Sequence, residues 1–348
     1  MSKILELQPG DRILISRTDR LGDLVLALPV VETIKARYPE CRVDVISSLY
    51  ASPILENNDK ISGILRVQND QLLTSKPYKK ELLMKVKKGD YKVVVVLYPE
   101  RQISRLFYQA EIPHRLGTAG RFHSVFFNHR LLHSRKANRK HESEYNLDFL
   151  RFFRKGPTIK TPTVYPTDKE LRNARRILGE VNINAPFIVL HPGSGGSADR
   201  WPVDKFIDLY AMLDAENLQV VLSGSDNEGE MIEEVAARNG VSVRKITGET
   251  DLRTLAAVLS LASVVVANST GPLHLAVAVG TRVVGLYPGR QIMSPVRWGP
   301  VGKGHKVLQP PMPPLNGGGE RVDNMDQIPA QTVARAVREA FAASVRQK

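Results

Sequence analysis

The sequence predicts an α/β protein built from two doubly wound domains. Strand-like runs of β-branched residues alternate with helical periodicity, and polar or glycine-rich turns follow several of the strands. A proline-rich stretch without periodicity, residues 156–168, divides the 348-residue chain near its middle. Such alternation implies parallel sheets with right-handed crossovers. We expect a first domain over residues 1–160, a second over 161–325, the two facing a central cleft, and a C-terminal helix within 326–348 that packs across the domain junction.

The elements are predicted from periodicity and turn residues, taken in chain order. In the first half, strands are expected at residues 12–16, 43–46 and 91–98, and helices at 23–38 and 144–153. In the second half, strands are expected at residues 187–190, 218–223, 241–244 and 263–267, and helices at 169–178, from 202, from 227, from 252, from 271 and at 331–345. Residues 310–319 are expected to form a loop.

The net charge of +13 lies almost entirely in the first half of the chain. Residues 1–160 carry 29 lysines and arginines against 17 acidic residues, and the remainder carries 20 against 19. A basic half indicates an anionic partner, for which nucleic acid, an anionic membrane surface and a phosphorylated substrate are the alternatives. The Arg- and His-rich residues 112–140 are interpreted as loops and short strands facing a ligand, with a solvated surface as the alternative.

Composition favours a cytoplasmic protein. Cys41 is the single cysteine, which excludes an internal disulfide framework. No apolar run approaches the roughly 20 residues that a membrane-spanning helix needs. The N-terminal stretch carries Glu6 and Asp11 and is not typical of a signal peptide.

A strand, a polar turn and a helix over residues 263–280 form the first candidate binding site in the sequence. Here the possible cap residues Asn268, Ser269 and Thr270 follow a buried strand, and Gly271 opens a helix that contains His274. A helix that begins at the carboxyl end of a parallel strand presents free N–H groups and a positive dipole end, which suit a diphosphate. The alternative is that the polar side chains only cap the helix and that His274 is a core histidine.

A second turn of this kind is H-P-G-S-G-G-S-A-D-R-W-P, residues 191–202. Gly193 and Gly195 let the backbone approach an anion, Ser194 adds a hydroxyl, and Arg200 can pair with phosphate oxygens. Part of this turn also matches a relaxed dinucleotide-binding pattern. An oxidoreductase is disfavoured, because the pattern lies in the second domain and the helix begins late.

A third turn, L-S-G-S-D-N-E-G-E, ends the strand predicted at residues 218–223. Asp226 or Glu228 could accept hydrogen bonds from ribose hydroxyls, as acids at this position often do. The alternative is that both are first-turn acids favoured by the helix dipole.

In the first domain, the turn R-T-D-R-L-G-D follows the first strand. Asp23 could take a proton from an attacking hydroxyl, and Arg17 and Arg20 could bind an anionic acceptor. Arg121, in the basic segment, is a further candidate acceptor contact. The alternative for Asp23 is that it caps the first helix.

Three of these motifs together resemble glycosyltransferase family 9, the ADP-heptose:lipopolysaccharide heptosyltransferases. They are L-I-S-R-T-D-R-L-G-D-L-V-L-A-L-P, L-H-P-G-S-G-G-S-A-D-R-W-P and A-N-S-T-G-P-L-H-L-A-V-A-V-G. Support comes from I-P-H-R-L-G, K-H-E-S-E-Y-N-L and I-T-G-E-T-D-L-R-T-L-A, all in the family's order over residues 12–290.

The resemblance implies a GT-B fold with the acceptor on the first Rossmann-like domain and the sugar nucleotide on the second. It implies an inverting mechanism that needs no metal ion or cofactor. Asp23 matches the family's general base. Gly193, Ser194, Thr270 and Gly271 match positions that hold the donor diphosphate. Separately, His274 matches the histidine that faces the donor, and Glu228 falls near the acid that binds the ribose.

Two positions depart from the family pattern. Asp199 stands where a lysine is common before Arg/His-Trp-Pro, so Arg200 or another cation must stabilise the departing diphosphate. Ser269 stands where the well-studied members carry Asp before Thr-Gly. Both departures concern the identity of the donor sugar.

Together these observations predict an inverting glycosyltransferase that moves a heptose from ADP-heptose to a lipopolysaccharide core. The acceptor is expected to be anionic and lipid-linked at the cytoplasmic face of the inner membrane, where the enzyme could bind peripherally. One alternative is a family member that uses another nucleotide sugar for another surface glycan. The other is a protein that binds nucleic acid or an anionic membrane, which is disfavoured because no RNA- or DNA-reading motif is present.

Overall fold

The chain, in a computed structural model, forms two compact units, Met1–Pro162 and Thr163–Lys348. The structure describes residues 4–120, 122–184, 186–194, 199–311 and 324–346. The boundary between the units falls inside the proline-rich stretch of residues 156–168. Within the described ranges, no helix combines the length and the apolarity that crossing a membrane would require.

The first unit is built on a six-stranded parallel sheet. Its strands are β1 (Arg12–Arg17), β2 (Arg42–Ser48), β3 (Gly63–Val67), β4 (Tyr91–Val96), β5 (His114–Thr118) and β6 (His129–Leu131). They lie in the order β3-β2-β1-β4-β5-β6. The order reverses between β1 and β4, so the loops after these two strands open at the point where ligands bind in such sheets.

Helices cover this sheet. They are α1 (Leu21–Val25), α2 (Leu28–Arg37), α3 (Asn69–Thr74), α4 (Lys76–Lys88), α5 (Arg101–Gln109) and α6 (Glu142–Leu147). One face packs α3, α4 and α5 on the sheet through a core that includes Leu14, Val94, Leu82 and Phe107. The prediction of one helix over residues 23–38 is wrong in detail. It is two helices, because Pro29 at the start of α2 lacks the N–H that continuous helix would use.

The second unit is built on a five-stranded parallel sheet. Its strands are β7 (Phe187–His191), β8 (Gln219–Leu222), β9 (Val264–Asn268), β10 (Arg282–Leu286) and β11 (Lys306–Leu308), in the order β11-β10-β9-β7-β8. Here the order reverses between β7 and β9. The loops after these strands are the two turns from which a diphosphate site was predicted.

Seven helices are described in this unit. They are α7 (Asp168–Glu180), α8 (Val203–Asp214), α9 (Asp226–Arg238), α10 (Leu252–Leu261), α11 (Gly271–Ala278), α12 (Pro295–Trp298) and α13 (Ala330–Val345). The C-terminal helix α13 packs on α8, β9, β10 and β11, with Val333 and Val337 fully buried. That it also packs across the domain junction stays a prediction.

The predicted strand at residues 241–244 is not formed. Only a single bridge joins this segment's end to β8, between Leu222 and Lys245. The Arg244 N–H donates to the Tyr210 hydroxyl at 3.1 Å, so it is not used for a ladder. Of the loop predicted at residues 310–319, only Pro310 and Pro311 lie within the described residues.

Candidate active site

Asp23 lies at the carboxyl edge of the first sheet, at the point where the strand order reverses. It is the third residue of α1, whose N-cap position is held by Arg20, so Asp23 is not the capping residue. Its carboxylate is 13% exposed and forms an ion pair with Arg17 at the end of β1. The turn after β1 therefore holds a nearly buried carboxylate beside a cation.

Arg17 is the centre of a buried ionic network. Its Nε donates to Asp19 at 2.7 Å, one terminal nitrogen pairs with Asp23, and the other lies 3.1 Å from Glu142. Burial alone would lower the pKa of Arg17, but the charges of the three carboxylates outweigh it and raise that pKa well above its usual value. The guanidinium also lies over the Tyr98 ring at 5.5 Å.

The prediction that Arg17 binds the acceptor does not fit this arrangement. Its side chain is 1% exposed, and its nitrogens already serve carboxylates. Arg20, by contrast, is exposed at the same turn. Arg121 lies outside the described residues.

Glu142 and its neighbours were missed as site residues, although the motif K-H-E-S-E-Y-N-L had been noticed. The Glu142 side chain is 1% exposed and also lies 3.3 Å from a nitrogen of Arg135. Asn146 accepts from Arg17 at 3.1 Å and donates to the Leu26 carbonyl at 3.0 Å. The motif thus ties α6 to the end of β1 and to the residue that follows α1, and the spacing of glutamate and asparagine on one helical face was the available signal.

Glu100 is a further carboxyl group at this edge. It follows β4 as the N-cap residue of α5, yet its side chain makes no capping hydrogen bond. Burial, and then the charge of Asp19, raise its pKa above the usual value. Carboxyl groups at the ends of adjacent strands are thus placed near each other at the point of reversal.

In the second unit, Asn268 joins the two predicted diphosphate turns. It ends β9, is fully buried, and accepts from the Trp201 N–H at 3.0 Å while donating to the Pro192 carbonyl at 2.8 Å. The turn that follows β7 is thereby fixed at both ends to the end of β9. The Trp201 indole N–H donates to the Ile328 carbonyl at 3.0 Å, which anchors the exit of the turn in the core.

The start of α11 lies at the same edge. Thr270 is its N-cap residue, but its side chain does not cap the helix, and the hydroxyl donates to the Asn268 carbonyl at 3.2 Å. Gly271 and Ser269 are half-buried, and His274 is 4% exposed in the first turns of the helix. The capping alternative is therefore wrong for Asn268 and Thr270, whose side chains have other partners.

Glu228 lies against the glycine-rich turn. A Cβ atom on Gly193 would come within 2.1 Å of its Oε1, so only glycine allows this approach. Its Oε2 accepts from the Ser225 N–H at 2.8 Å in a capping box. Glu228 is thus an acid of the first turn of α9 and takes part in its capping box, as the alternative interpretation expected. Its other oxygen faces the turn after β7. Asp226 is exposed and packs against Gly248.

Asp199, one of the two departures from the family pattern, is paired with a cation that sequence reasoning missed. The Arg290 Nε lies 3.1 Å from an Asp199 carboxylate oxygen. Arg290 follows β10 in the turn Y-P-G-R, and an arginine beside glycine at a strand end was the signal available. Arg200 is exposed and pairs with no acid among the described residues.

His191 opens the glycine-rich turn and is buried. Its Nδ1 lies 3.0 Å from the Ser223 hydroxyl at the end of β8. Burial lowers the pKa of His191, although the charge of Glu228 opposes this. Ser194, the next polar residue of the turn, is 5% exposed, and Gly195 lies outside the described residues.

These residues can hold an anion, and none of the described ones forms a metal-ligand cluster. No group of three or more His, Cys, Asp or Glu suited to a metal ion occurs in the part of the chain that the structure describes. The second unit offers a helix start, a glycine-bearing turn and two arginines at one sheet edge, which suit a diphosphate. The first unit offers a held carboxylate suited to proton transfer.

Comparison with known proteins identifies the class. The profile of glycosyltransferase family 9 (heptosyltransferase) matches residues 80–314. An inferred glycosyltransferase of Haemophilus influenzae is 29% identical over 301 residues, covering 84% of this chain and 86% of that protein. Lipopolysaccharide heptosyltransferase 2 of Salmonella typhimurium is 24% identical over 289 residues, covering 79% and 82%. The solved structure of ADP-heptose lipopolysaccharide heptosyltransferase II of E. coli superposes with a TM-score of 0.78 at 21% identity, covering 96% and 99%.

The protein is therefore a glycosyltransferase with the GT-B fold, as predicted, made of two Rossmann-like domains. More narrowly, the chain belongs to glycosyltransferase family 9, the heptosyltransferase family.

Proposed function

We propose that the chain transfers a heptose from ADP-heptose to a lipopolysaccharide core acceptor, with inversion and without a metal ion. The family supports heptosyl transfer. The name of the E. coli structural relative supports ADP-heptose as donor, and that of the Salmonella relative supports a lipopolysaccharide acceptor.

The second unit supplies the donor site in this proposal. N–H groups at the start of α11, at Thr270 and Gly271, and the turn at Gly193 and Ser194 bind the diphosphate. Its growing negative charge as the sugar leaves is stabilised by these dipoles and by Arg200 and Arg290. Cations on the protein can supply the stabilisation that a metal ion gives elsewhere.

Other residues of this edge fix the nucleoside and the sugar. Glu228, with one oxygen facing the glycine-rich turn, accepts from the ribose hydroxyls. His274 and Ser269 contact the donor, and Gly195 belongs to the same diphosphate turn.

The first unit supplies the base and the acceptor contacts. The acceptor hydroxyl gives its proton to Asp23, and its oxygen attacks the anomeric carbon opposite the diphosphate. The bond from that carbon to ADP breaks, and ADP leaves with the electron pair. Arg17 holds the Asp23 carboxylate in position, whereas Arg20 and Arg121 bind acidic groups of the acceptor.

The observation that carries this proposal is the double hydrogen bond of Asn268, which fixes the turn after β7 to the start of α11. The test is calorimetric titration with ADP and UDP, followed by mass spectrometry of acceptor incubated with ADP-heptose and EDTA. Tight ADP binding, weakened by Asn268→Ala, and a product heavier by one heptose support it. A protein that does not bind ADP would count against the donor site. A product that is no longer formed when EDTA is present would count against the metal-independent step.

A second candidate is transfer of a different sugar to another surface glycan. The observation favouring it is the Asp199–Arg290 pair, in which the cation comes from the turn after β10 rather than from the glycine-rich turn. Ser269 before Thr270 also changes the group nearest the donor. A panel of nucleotide sugars, scored by hydrolysis and by transfer, separates the two candidates.

A further inference from the structure

Helix α4 of the first unit exposes a row of lysines that the transfer reaction does not use. Leu82 and Val86 bury one side of this helix in the core. The opposite side carries the exposed residues Lys76, Lys80, Met84, Lys87 and Lys88, which we name the lysine face. At 100° per residue, these side chains fall within about one third of the helix circumference, with Met84 inside the arc.

Acidic neighbours neutralise only part of this face. Lys87 lies 3.4 Å from Glu111, and Lys85, at the edge of the face, lies 2.7 Å from Glu81. Among the described residues, no ion pair is formed by Lys76, Lys80 or Lys88. The exposed acids Asp70 and Asp90 lie beyond the two ends of the helix, and the neighbouring helix α5 adds exposed Arg101 and Arg105.

Large apolar side chains lie among these cations. Met84 is 56% exposed, and Leu73, at the end of α3, is 55% exposed. A basic surface with a few protruding apolar side chains suits the interface of an anionic bilayer, where lysines meet lipid phosphates and apolar groups enter the acyl boundary. It suits nucleic acid less well, because the lysine face and Leu73 include no exposed aromatic ring for stacking, and the exposed Tyr108 ring of α5 already contacts the Arg115 guanidinium at 5.3 Å.

The segment that leads into the lysine face is tied to the edge that carries Asp23. The Asn69 side chain, at the start of α3, donates to the Thr18 carbonyl at 2.9 Å, next to Asp19 in the turn after β1. Helix α3 has six residues and α4 follows it after one residue, so one short helix joins the acceptor edge to the amino-terminal end of the lysine face.

We propose that the lysine face, with Leu73, docks the protein on an anionic lipid bilayer. This rests on the proposed function, in which the acceptor is lipid-linked. Docking holds the edge with Asp23 and Arg20 close to the surface from which the acceptor projects.

The test compares two triple variants with the same change of charge. Lys76→Glu/Lys80→Glu/Lys88→Glu removes the unpaired lysines of the face. The matched control, Lys169→Glu/Arg172→Glu/Arg175→Glu, reverses three exposed cations on α7 of the second unit that form no ion pair with any described residue. Co-sedimentation is measured with phosphatidylglycerol-containing and with pure phosphatidylcholine vesicles, and circular dichroism confirms folding of each variant.

We expect the wild type to bind only the anionic vesicles, more weakly at high salt, and the α4 variant to bind them at least about tenfold more weakly. The α7 variant should bind like the wild type, and Met84→Ser, which removes the apolar side chain without adding a charge, should weaken binding without changing the salt dependence. Equal losses in the two triple variants, or wild-type protein that binds an oligonucleotide but not the vesicles, would overturn the proposal.

Transfer to a delipidated, water-soluble acceptor separates this proposal from the proposed function. The α4 variant should keep wild-type turnover with that acceptor while losing vesicle binding. Because vesicle binding is measured without turnover, a failure of the transfer assay leaves the docking result standing. A loss of soluble-acceptor turnover in the α4 variant would instead place these lysines in the acceptor site and contradict a docking role.

Discussion

At the scale of single residues, the first unit's site depends on the balance of charge around Arg17. Two arginines, Arg17 and Arg135, face the carboxylates of Asp19, Asp23 and Glu142. A buried carboxylate that lost its partner would be costly, so each group fixes the others. Asp23 is thereby held in position by Arg17.

Glu142→Gln tests whether this network tunes Asp23. Removing a neighbouring negative charge lowers the pKa of a carboxylate, so the acidic limb of the kcat/KM profile should move to lower pH. The profile is measured by ADP release from pH 4.5 to 8. In this network Asp23 pairs with Arg17, which also pairs with Asp19 and with the altered residue. A profile displaced to higher pH, or not displaced, would contradict the tuning role.

Arg290→Ala tests the cation that sequence reasoning missed. A charge-assisted contact to a diphosphate contributes about 1.5–3 kcal/mol, so the Kd for ADP should rise roughly ten- to a hundredfold. Titration calorimetry measures it, with Arg335→Ala, an exposed arginine on α13, as the control. Unchanged ADP affinity in Arg290→Ala would leave Arg200 as the diphosphate cation.

At the scale of elements, the two units repeat one device: a polar turn placed where the strand order reverses. Sequence periodicity predicted most of these strands and both turns, because burial and turn chemistry are local properties. It did not predict three pairs whose members lie 67, 91 and 125 residues apart: Asn268–Trp201, Asp199–Arg290 and Arg17–Glu142. Such partners are set by tertiary packing, so a capping role for Asn268 and acceptor binding for Arg17 were reasonable local interpretations that the fold overrides.

Gly193→Ala tests the close approach of Glu228, in the turn after β8, to the glycine-rich turn after β7. The new methyl group would meet the Glu228 carboxylate, which must shift away from the position in which it would accept the ribose hydroxyls. We expect ADP to bind at least about tenfold more weakly, the size of one lost charged hydrogen bond. Gly179→Ala is the matched control, because a Cβ there meets no atom within 4 Å and alanine suits a helix. Equal ADP affinity in both variants would contradict the assignment of Glu228 to the donor site.

At the scale of the whole molecule, buried histidines make stability depend on pH. Burial lowers the pKa of His191 and His305 in the second unit and of His129 and His133 in the first. A histidine held neutral binds fewer protons folded than unfolded, so its contribution is present above the unfolded pKa of about 6.5 and is lost as the pH falls below it.

Urea unfolding followed by tryptophan fluorescence measures the stability of the second unit, because Trp201 and Trp298 both lie in that unit. The urea concentration at the unfolding midpoint should decrease when the pH is lowered from 7.5 to 5.5. His191→Gln should reduce that fall, because glutamine does not titrate. A midpoint that rises as the pH decreases would contradict the buried, neutral state of these histidines.

The central claim is that Asp23 accepts the proton of the attacking hydroxyl while the second unit binds the donor independently. Its most direct test is Asp23→Asn, measured by single-turnover transfer and by ADP titration of the same protein. The account predicts a loss of turnover of about 10²–10⁴-fold, the usual contribution of a general base, with ADP affinity unchanged. Turnover within a few-fold of the wild type in Asp23→Asn would contradict it.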